Sequence, residues 1–234
     1  MVERNRQPES RPDVPEQPAR PALSREAILD EALRLADERG LGAASMRALA
    51  DRVGVTPMAL YPYVGSKAAM LDGLVDRMLA EFLPDASAIA DAPWQERLRR
   101  IGLGARELAH RHPTTFTLLF ERPAVTPDAV RVVDAIYQAL LDAGIPDAQV
   151  PRLERLFTTF CLGFALSDVN GRFAAGEVNP RARRADAAPG SVPAHERLAA
   201  VLDDELDLAA EYHADLENLI ELVAAVASSD KRLP

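Results

Sequence analysis

The chain has 234 residues, 48% hydrophobic and only 5% aromatic, with 36 acidic against 27 basic side chains and a net charge of −9. An apolar complement drawn mainly from Ala, Leu and Val favours packed helices over sheets, and the length suits one large domain or two small ones. No apolar run approaches the roughly 20 residues that cross a bilayer, the charged N-terminus lacks the apolar core of a signal peptide, and the lone Cys161 excludes an internal disulfide, so a reducing cytoplasm is expected.

Residues 1–22 hold five prolines and little to bury, which predicts a disordered tail. Ser24 then reads as an N-cap for "REAILDEALRLADERG", with Ala27, Ile28, Ala32 or Leu33, and Leu35 turned inward and Gly40 as the stop. Ser45 opens "SMRALADRVG", whose inward residues are Met46, Leu49, Ala50 and Val53, with Gly54 at the turn. Thr56 caps a third helix with Pro57 at its first position, where a missing N–H costs nothing. Pro62 weakens the continuation of that helix by removing a second N–H. Ser66 caps a fourth helix, "KAAMLDGLVDRMLAEFL", closed by Pro84.

Longer helices follow. "APWQERLRRIGLGARELAHRH" ends at Pro113 and "TTFTLLFER" at Pro123. Pro127 and Pro151 begin "DAVRVVDAIYQALLDAG" and "RLERLFTTFCLGFALSDVNGRF". Residues 174–193 break every periodicity and predict a mobile loop. A last helix, with a short turn before it, spans about 194–227 and carries a stripe of Ala209, Tyr212, Leu216, Leu219, Ile220 and Val223. The acids Asp203, Asp204, Glu205 and Asp207 precede it, where a helix N-terminus favours negative charge. No internal repeat and no strand pattern occurs.

The segment 45–67 carries the most specific chemistry. Two short helices joined by "GVT" have the form of a helix-turn-helix, whose second helix enters the major groove with its N-terminal residues nearest the bases. Plain bundle packing gives the same geometry, and the exposed residues separate the two readings. Thr56, Tyr61 and Tyr63 offer hydroxyls, Arg47 and Lys67 cations, and Met58 and Ala59 apolar contacts suited to thymine methyls. The N–H groups at the Ser66 cap would face a phosphate. The acidic excess lies mostly beyond residue 72, and residues 23–72 hold six basic and seven acidic groups. That balance permits DNA contact through this end.

"LSREAILDEALRLADERGLGAASMRALADRVGVTPMALYPYVGSKAAMLDGL" resembles the DNA-binding domain of the tetracycline-repressor (TetR) family. The likeness rests on the opening helix, "MRALADRVGV", the "LY" pair and "SKAAML". It implies an all-α, homodimeric, effector-controlled transcriptional regulator, with a three-helix helix-turn-helix domain over residues 23–83 and an effector-binding and dimerisation domain over 84–234. Carried over by position, it implies DNA contacts at Ser45, Arg47, Thr56, Met58, Ala59, Tyr61, Tyr63 and Lys67. Pro62 replaces a more usual aromatic or polar residue. The C-terminal part resembles that of the tetracycline repressor more weakly, through "PWQERLRR", "RHP", "ERP", "LLDAGIPD" and "EYHADLENLIELV". That likeness implies an effector pocket among helices 5 to 8 and a four-helix dimer interface built from helices near 152–173 and 204–227.

Periodicity adds to this on its own. Leu153, Leu156, Phe157, Phe160, Cys161 and Phe164 recur at helical spacing, while Leu162, Ala165, Leu166 and Val169 make other faces of the same helix apolar. A helix apolar nearly all round is buried from several sides. Where a tetracycline repressor holds a magnesium-chelated drug with imidazole and amide groups, this chain offers Leu83, Ile101 and Ala105, with Leu118 or Leu119 in place of a metal-binding histidine. Carbon cannot ligate magnesium, so no metal and no cofactor is expected. Phe116, Phe120, Tyr137, Phe157, Phe160 and Phe164 point instead to an apolar or aromatic effector, or simply to core. Among the histidines, His110 and His112 face different ways, His195 borders the loop, and His213 sits near the dimer helix. None falls in a zinc spacing.

The partners expected are therefore operator DNA, a small-molecule effector and a second copy of the chain, with no membrane. The competing functions are an enzyme using the C-terminal pocket, for which no GxSxG, P-loop, HExxH or paired-cysteine motif is present, and a helical dimerisation protein.

Overall fold

The computed structural model describes residues 23–88, 91–122, 126–173, 187–188, 190–202, 204 and 206–230. The expected tail 1–22 and most of the expected loop 174–193 lie outside the described residues. Within them, all regular structure is helical.

The first three helices are α1 (Arg25–Arg39), α2 (Met46–Val53) and α3 (Pro57–Val64). Their ends follow from local chemistry. The Ala27 and Ala48 N–H groups donate to the hydroxyls of Ser24 (3.1 Å) and Ser45 (3.2 Å), each supplying a partner that the first turn lacks. Gly40, at φ 85°, closes α1, and Gly54, in the left-handed region at φ 73°, closes α2 and sets the turn into α3. Thr56 occupies the cap position of α3 without making the side-chain bond expected of it. Ile28, Leu29, Ala32, Leu33, Leu35 and Ala36 bury the inner face of α1, and the expected inward Ala27 is exposed.

Pro62 leaves α3 intact. The helix runs through it to Val64, with Gly65 N–H bonding the Tyr61 carbonyl at 2.8 Å. One backbone bond is lost, but Leu60 and Val64 on either side are buried in the core and hold the turn in place. Pro84 behaves likewise. α4 (Lys67–Ala88) continues past the proline expected to close it, so the expected boundary at residue 83 falls inside one helix.

The remaining helices are α5 (Trp94–Arg111), α6 (Leu118–Glu121), α7 (Pro127–Asp142), α8 (Val150–Val169), α9 (Pro193–Arg197), α10 (Ala199–Leu202) and α11 (Leu208–Asp230). Only four residues of the expected 114–122 helix are α-helical; turns occupy 113–117. The single helix expected over 194–227 is three pieces. Asp207 sets the last break, because its carboxylate accepts the N–H groups of Ala209 (3.0 Å) and Ala210 (3.1 Å) and so starts α11 anew. The buried stripe of α11 is Tyr212, Leu216, Ile220, Val223 and Ala227; Ala209 is exposed.

α4 links two layers. It packs on α1 and α3 of the first layer and on α5, α6 and α7 of the second. α5 is the centre of the larger layer, against α4, α7, α8 and α11. At Gly102 a Cβ would meet the Leu216 methyls at 2.8 Å, so the glycine lets α11 approach. There the Tyr212 hydroxyl donates to the Gly102 carbonyl at 2.7 Å. Arg99 reinforces the same contact through two bonds to Glu217, at 2.5 and 2.9 Å.

Candidate nucleic-acid interface and adjoining cavity

α3 buries Leu60 and Val64 and turns the rest of its surface outward. Met58 is 74% exposed, Tyr61 43% and Tyr63 38%, while Ala59 is half-buried. Thr56 precedes the helix and is exposed. Lys67 follows at the start of α4, where Ser66 caps by accepting the Ala69 N–H at 3.1 Å. Ser45, half-buried, has its hydroxyl occupied as the α2 cap. Arg47 and Lys67 are exposed and make no ion pair with a described residue.

Arg52, also on α2, is a contrast. Its Nη atoms donate to Glu38 at 2.6 and 2.7 Å, and its Nε bonds Glu31. These bonds hold the Glu38 carboxyl below the usual carboxylate range. Arg52 thus ties α2 to α1, and Arg47 is left to face outward.

Behind this head lies a cavity of about 240 Å³. Its walls are Leu79 and Phe82 of α4; Ile101, Ala105 and Leu108 of α5; and Phe116 and Leu119 around α6. α7 adds Ala129, Val132, Val133 and Ile136, and α8 adds Phe157, Thr158, Cys161 and Leu162. The lining is almost wholly apolar. The Thr158 hydroxyl is turned to Glu154 on its own helix, at 2.9 Å, and burial pushes the Cys161 thiol up to about 12, keeping it neutral.

Of the residues expected at an effector, Ile101, Ala105, Phe116, Leu119 and Phe157 line this cavity. Phe160 and Phe164 do not. They sit one step around α8 and pack on Tyr212, with ring centroids 5.7 and 4.8 Å from it. Phe120 is exposed, and Tyr137 lines a separate shallow depression with Val130 and Asp134. The side chain of Leu83 lies outside the described residues. The small and aliphatic walls from α4 and α7 were missed; in sequence they look like any buried helix face. Among the described residues, no group of three or more His, Cys, Asp or Glu side chains is placed to hold a metal ion.

Head and cavity layer are also joined by a polar clamp. His112, at the end of α5, places Nδ1 at 2.6 Å from Asp37 of α1 and Nε2 at 3.0 Å from Glu81 of α4. Thr115 donates to the other Asp37 oxygen at 2.6 Å, and Arg111 to Glu81 at 2.7 Å. Carboxylates only accept, so both imidazole nitrogens carry protons here. Burial opposes that charge, but the bonds to Asp37 and then Glu81 outweigh it and raise the pKa of His112 above its ordinary 6.5. Further along, Arg122 donates to Asp72 at 2.6 Å and to the Ala68 carbonyl at 3.1 Å. His110 faces elsewhere, toward Asp168 at 2.9 Å.

Comparison with known proteins gives two family matches. A model described as bacterial regulatory proteins, tetR family, matches residues 28–74, and one described as tetracyclin repressor-like, C-terminal domain, matches residues 88–225. The transcriptional repressor DrrR1 of Streptomyces coeruleorubidus is 26% identical over 155 residues, covering 66% of this chain and 57% of that repressor's own length. Tetracycline repressor protein class A from transposon 1721 of Escherichia coli is 29% identical over 174 residues, 71% of this chain and 77% of that protein. Among solved structures, ActR of Streptomyces coelicolor superposes with a TM-score of 0.73 in its apo form, at 24% identity over 89% of this chain and 98% of that one. Its complex with actinorhodin gives 0.71 at 22% identity over 88% and 98%. At such identity the structures speak to the fold alone.

A folded-state pKa raised above 6.5 means that the clamp's contribution is fully present below pH 6.5 and lost as pH rises through the folded value. Thermal melts of the wild type and His112→Gln should therefore differ by on the order of 1–2 kcal/mol at pH 6, with the gap shrinking toward pH 8.5. A gap independent of pH would mean that the fold leaves the pKa of His112 unshifted, and a gap that widens with pH would mean that the fold holds it neutral.

Proposed function

The chain belongs to the TetR family, whose members are non-enzymatic transcriptional regulators, and on that footing we propose that it is a homodimeric DNA-binding repressor released from its operator by a small apolar or aromatic effector. One observation carries this reading. The cavity takes part of its wall from Leu79 and Phe82 of α4, the helix that begins directly after the recognition helix α3. A molecule that fills the cavity presses on the element that orients the reading head.

The head, residues 23–83, would contact DNA through Ser45, Arg47, Thr56, Met58, Ala59, Tyr61, Tyr63 and Lys67, with the Ser66 cap on a phosphate. A residue 45 hydroxyl already used as a cap is the weakest member of that set. Release requires the ligand to prefer the geometry that does not fit DNA, since equal affinity for both shifts nothing. The lining admits a neutral ligand. An ionised group would be stripped of water with no counter-charge facing it. ActR, which shares the fold, is held with actinorhodin in one of its structures, which accords with a carbon-rich effector in this chain as well.

Two copies would meet through α8 and α11. Both helices keep apolar side chains in solvent after folding, Leu156 on one and Leu222 on the other. Dimerisation sets the spacing of two reading heads, which must match half-sites about one turn of DNA apart.

Tyr61→Ala and Lys67→Ala should each weaken operator binding by roughly 1–3 kcal/mol in a salt-controlled assay while leaving cavity occupancy unchanged. Ala105→Phe, which takes up part of the cavity, should abolish uptake of N-phenyl-1-naphthylamine, a neutral fluorescent arene; undiminished uptake would place the effector elsewhere. Leu156→Glu combined with Leu222→Glu should sediment as a monomer and lose operator affinity, whereas a persistent dimer would rule out this face.

A further inference from the structure

The recognition helix has an unusual inventory. Its eight residues, PMALYPYV, include no charged and no amide side chain. Bidentate hydrogen bonding to a base edge needs Arg or Lys for guanine, or Asn or Gln for adenine. α3 has none of them. Its polar groups are single phenolic hydroxyls at Tyr61 and Tyr63, with the Thr56 hydroxyl before it, and one hydroxyl fits either a donor or an acceptor edge. What α3 does present is carbon. Met58 is the most exposed large apolar side chain described in the protein, at 74%, and stands one residue into the helix beside the half-buried Ala59. Leu60 and Val64 account for the core packing of α3, so Met58 has no folding role that would explain it.

The major groove offers one apolar feature among its base edges, the C5 methyl of thymine. A thioether chain is flexible and polarizable, and packs well against an irregular apolar surface. We infer that the operator half-site is read at α3 through thymine methyl groups, with Met58 as the principal contact. This rests on the DNA-binding reading above and specifies its partner. Where α3 docks, the half-site carries T·A pairs with their methyls in the major groove. Base contacts by a cation come from outside α3, where Arg47 stands exposed and unpaired. The flanking Tyr61, Tyr63 and Lys67 hold the helix in the groove and to the backbone.

The test is selection of duplexes from a random library with the full-length protein, followed by replacement of each thymine in the selected site by deoxyuridine, which removes the methyl and nothing else. Loss of about fourfold in affinity per buried methyl is expected at the α3 positions, and Met58→Ala should bind the thymine and uracil duplexes equally well. Because Met58 is exposed, that variant folds. A strongly selected site that is indifferent to uracil overturns the methyl reading and leaves the DNA-binding function standing. Failure to enrich any duplex overturns that function, and this inference with it.

Discussion

α4 is shared. One end carries the packing that orients α3, and further along Leu79 and Phe82 close the cavity. A helix of 22 residues is about 33 Å long and behaves as a rod. Interiors packed at crystal density do not deform smoothly, so a displacement at the cavity end is carried to the head. The alternative design, two domains joined by a linker, would let each part move without the other. Here the backbone gives no such freedom, and it continues helical through Pro84.

The polar contacts around this rod limit how it moves. His112 is bonded at once to α1 and α4, so the end of α5 is fixed to the head at a buried point. Arg122, at the end of α6, holds α4 one turn from its start through Asp72 and Ala68. Between these two restraints Arg77 of α4 donates to Asp30 of α1 at 2.6 Å, and α4 meets the cavity through the carbon side chains of Leu79 and Phe82. Apolar contacts are non-directional and can slide, while the hydrogen-bonded pairs cannot without breaking. The arrangement therefore opposes translation of the whole helix relative to the head.

Much of this was legible in the sequence because short helices announce themselves by their caps. Ser24, Ser45, Ser66, Gly40 and Gly54 all occupy the termini expected of them. Proline misled. It removes one N–H and crowds one carbonyl, but burial of neighbours such as Leu60 and Val64 can outweigh that, so Pro62 and Pro84 mark weakened turns and not ends. The break before α11 was hidden for a related reason: Asp207 is one of four acids in a row of five, and only the backbone shows which of them accepts the first N–H groups. The cavity was legible in part. Aromatic residues draw attention, yet Phe160 and Phe164 belong to the packing around Tyr212, and aliphatic residues of α4 and α7 form much of the wall. Periodicity finds a buried face; it does not say whether that face meets a neighbour or an empty volume.

The carbon surface of α3 has a consequence for chemical marking of DNA. Were the half-site read through Met58 as inferred above, α3 would sense the methyl at C5 and not the ring that bears it. Cytosine methylated at C5 places the same group at the same point of the groove, so to Met58 a modified C·G pair resembles T·A more closely than it resembles its unmodified self. A regulator built this way would see its set of sites widen wherever that modification is laid down, with no change in its own sequence.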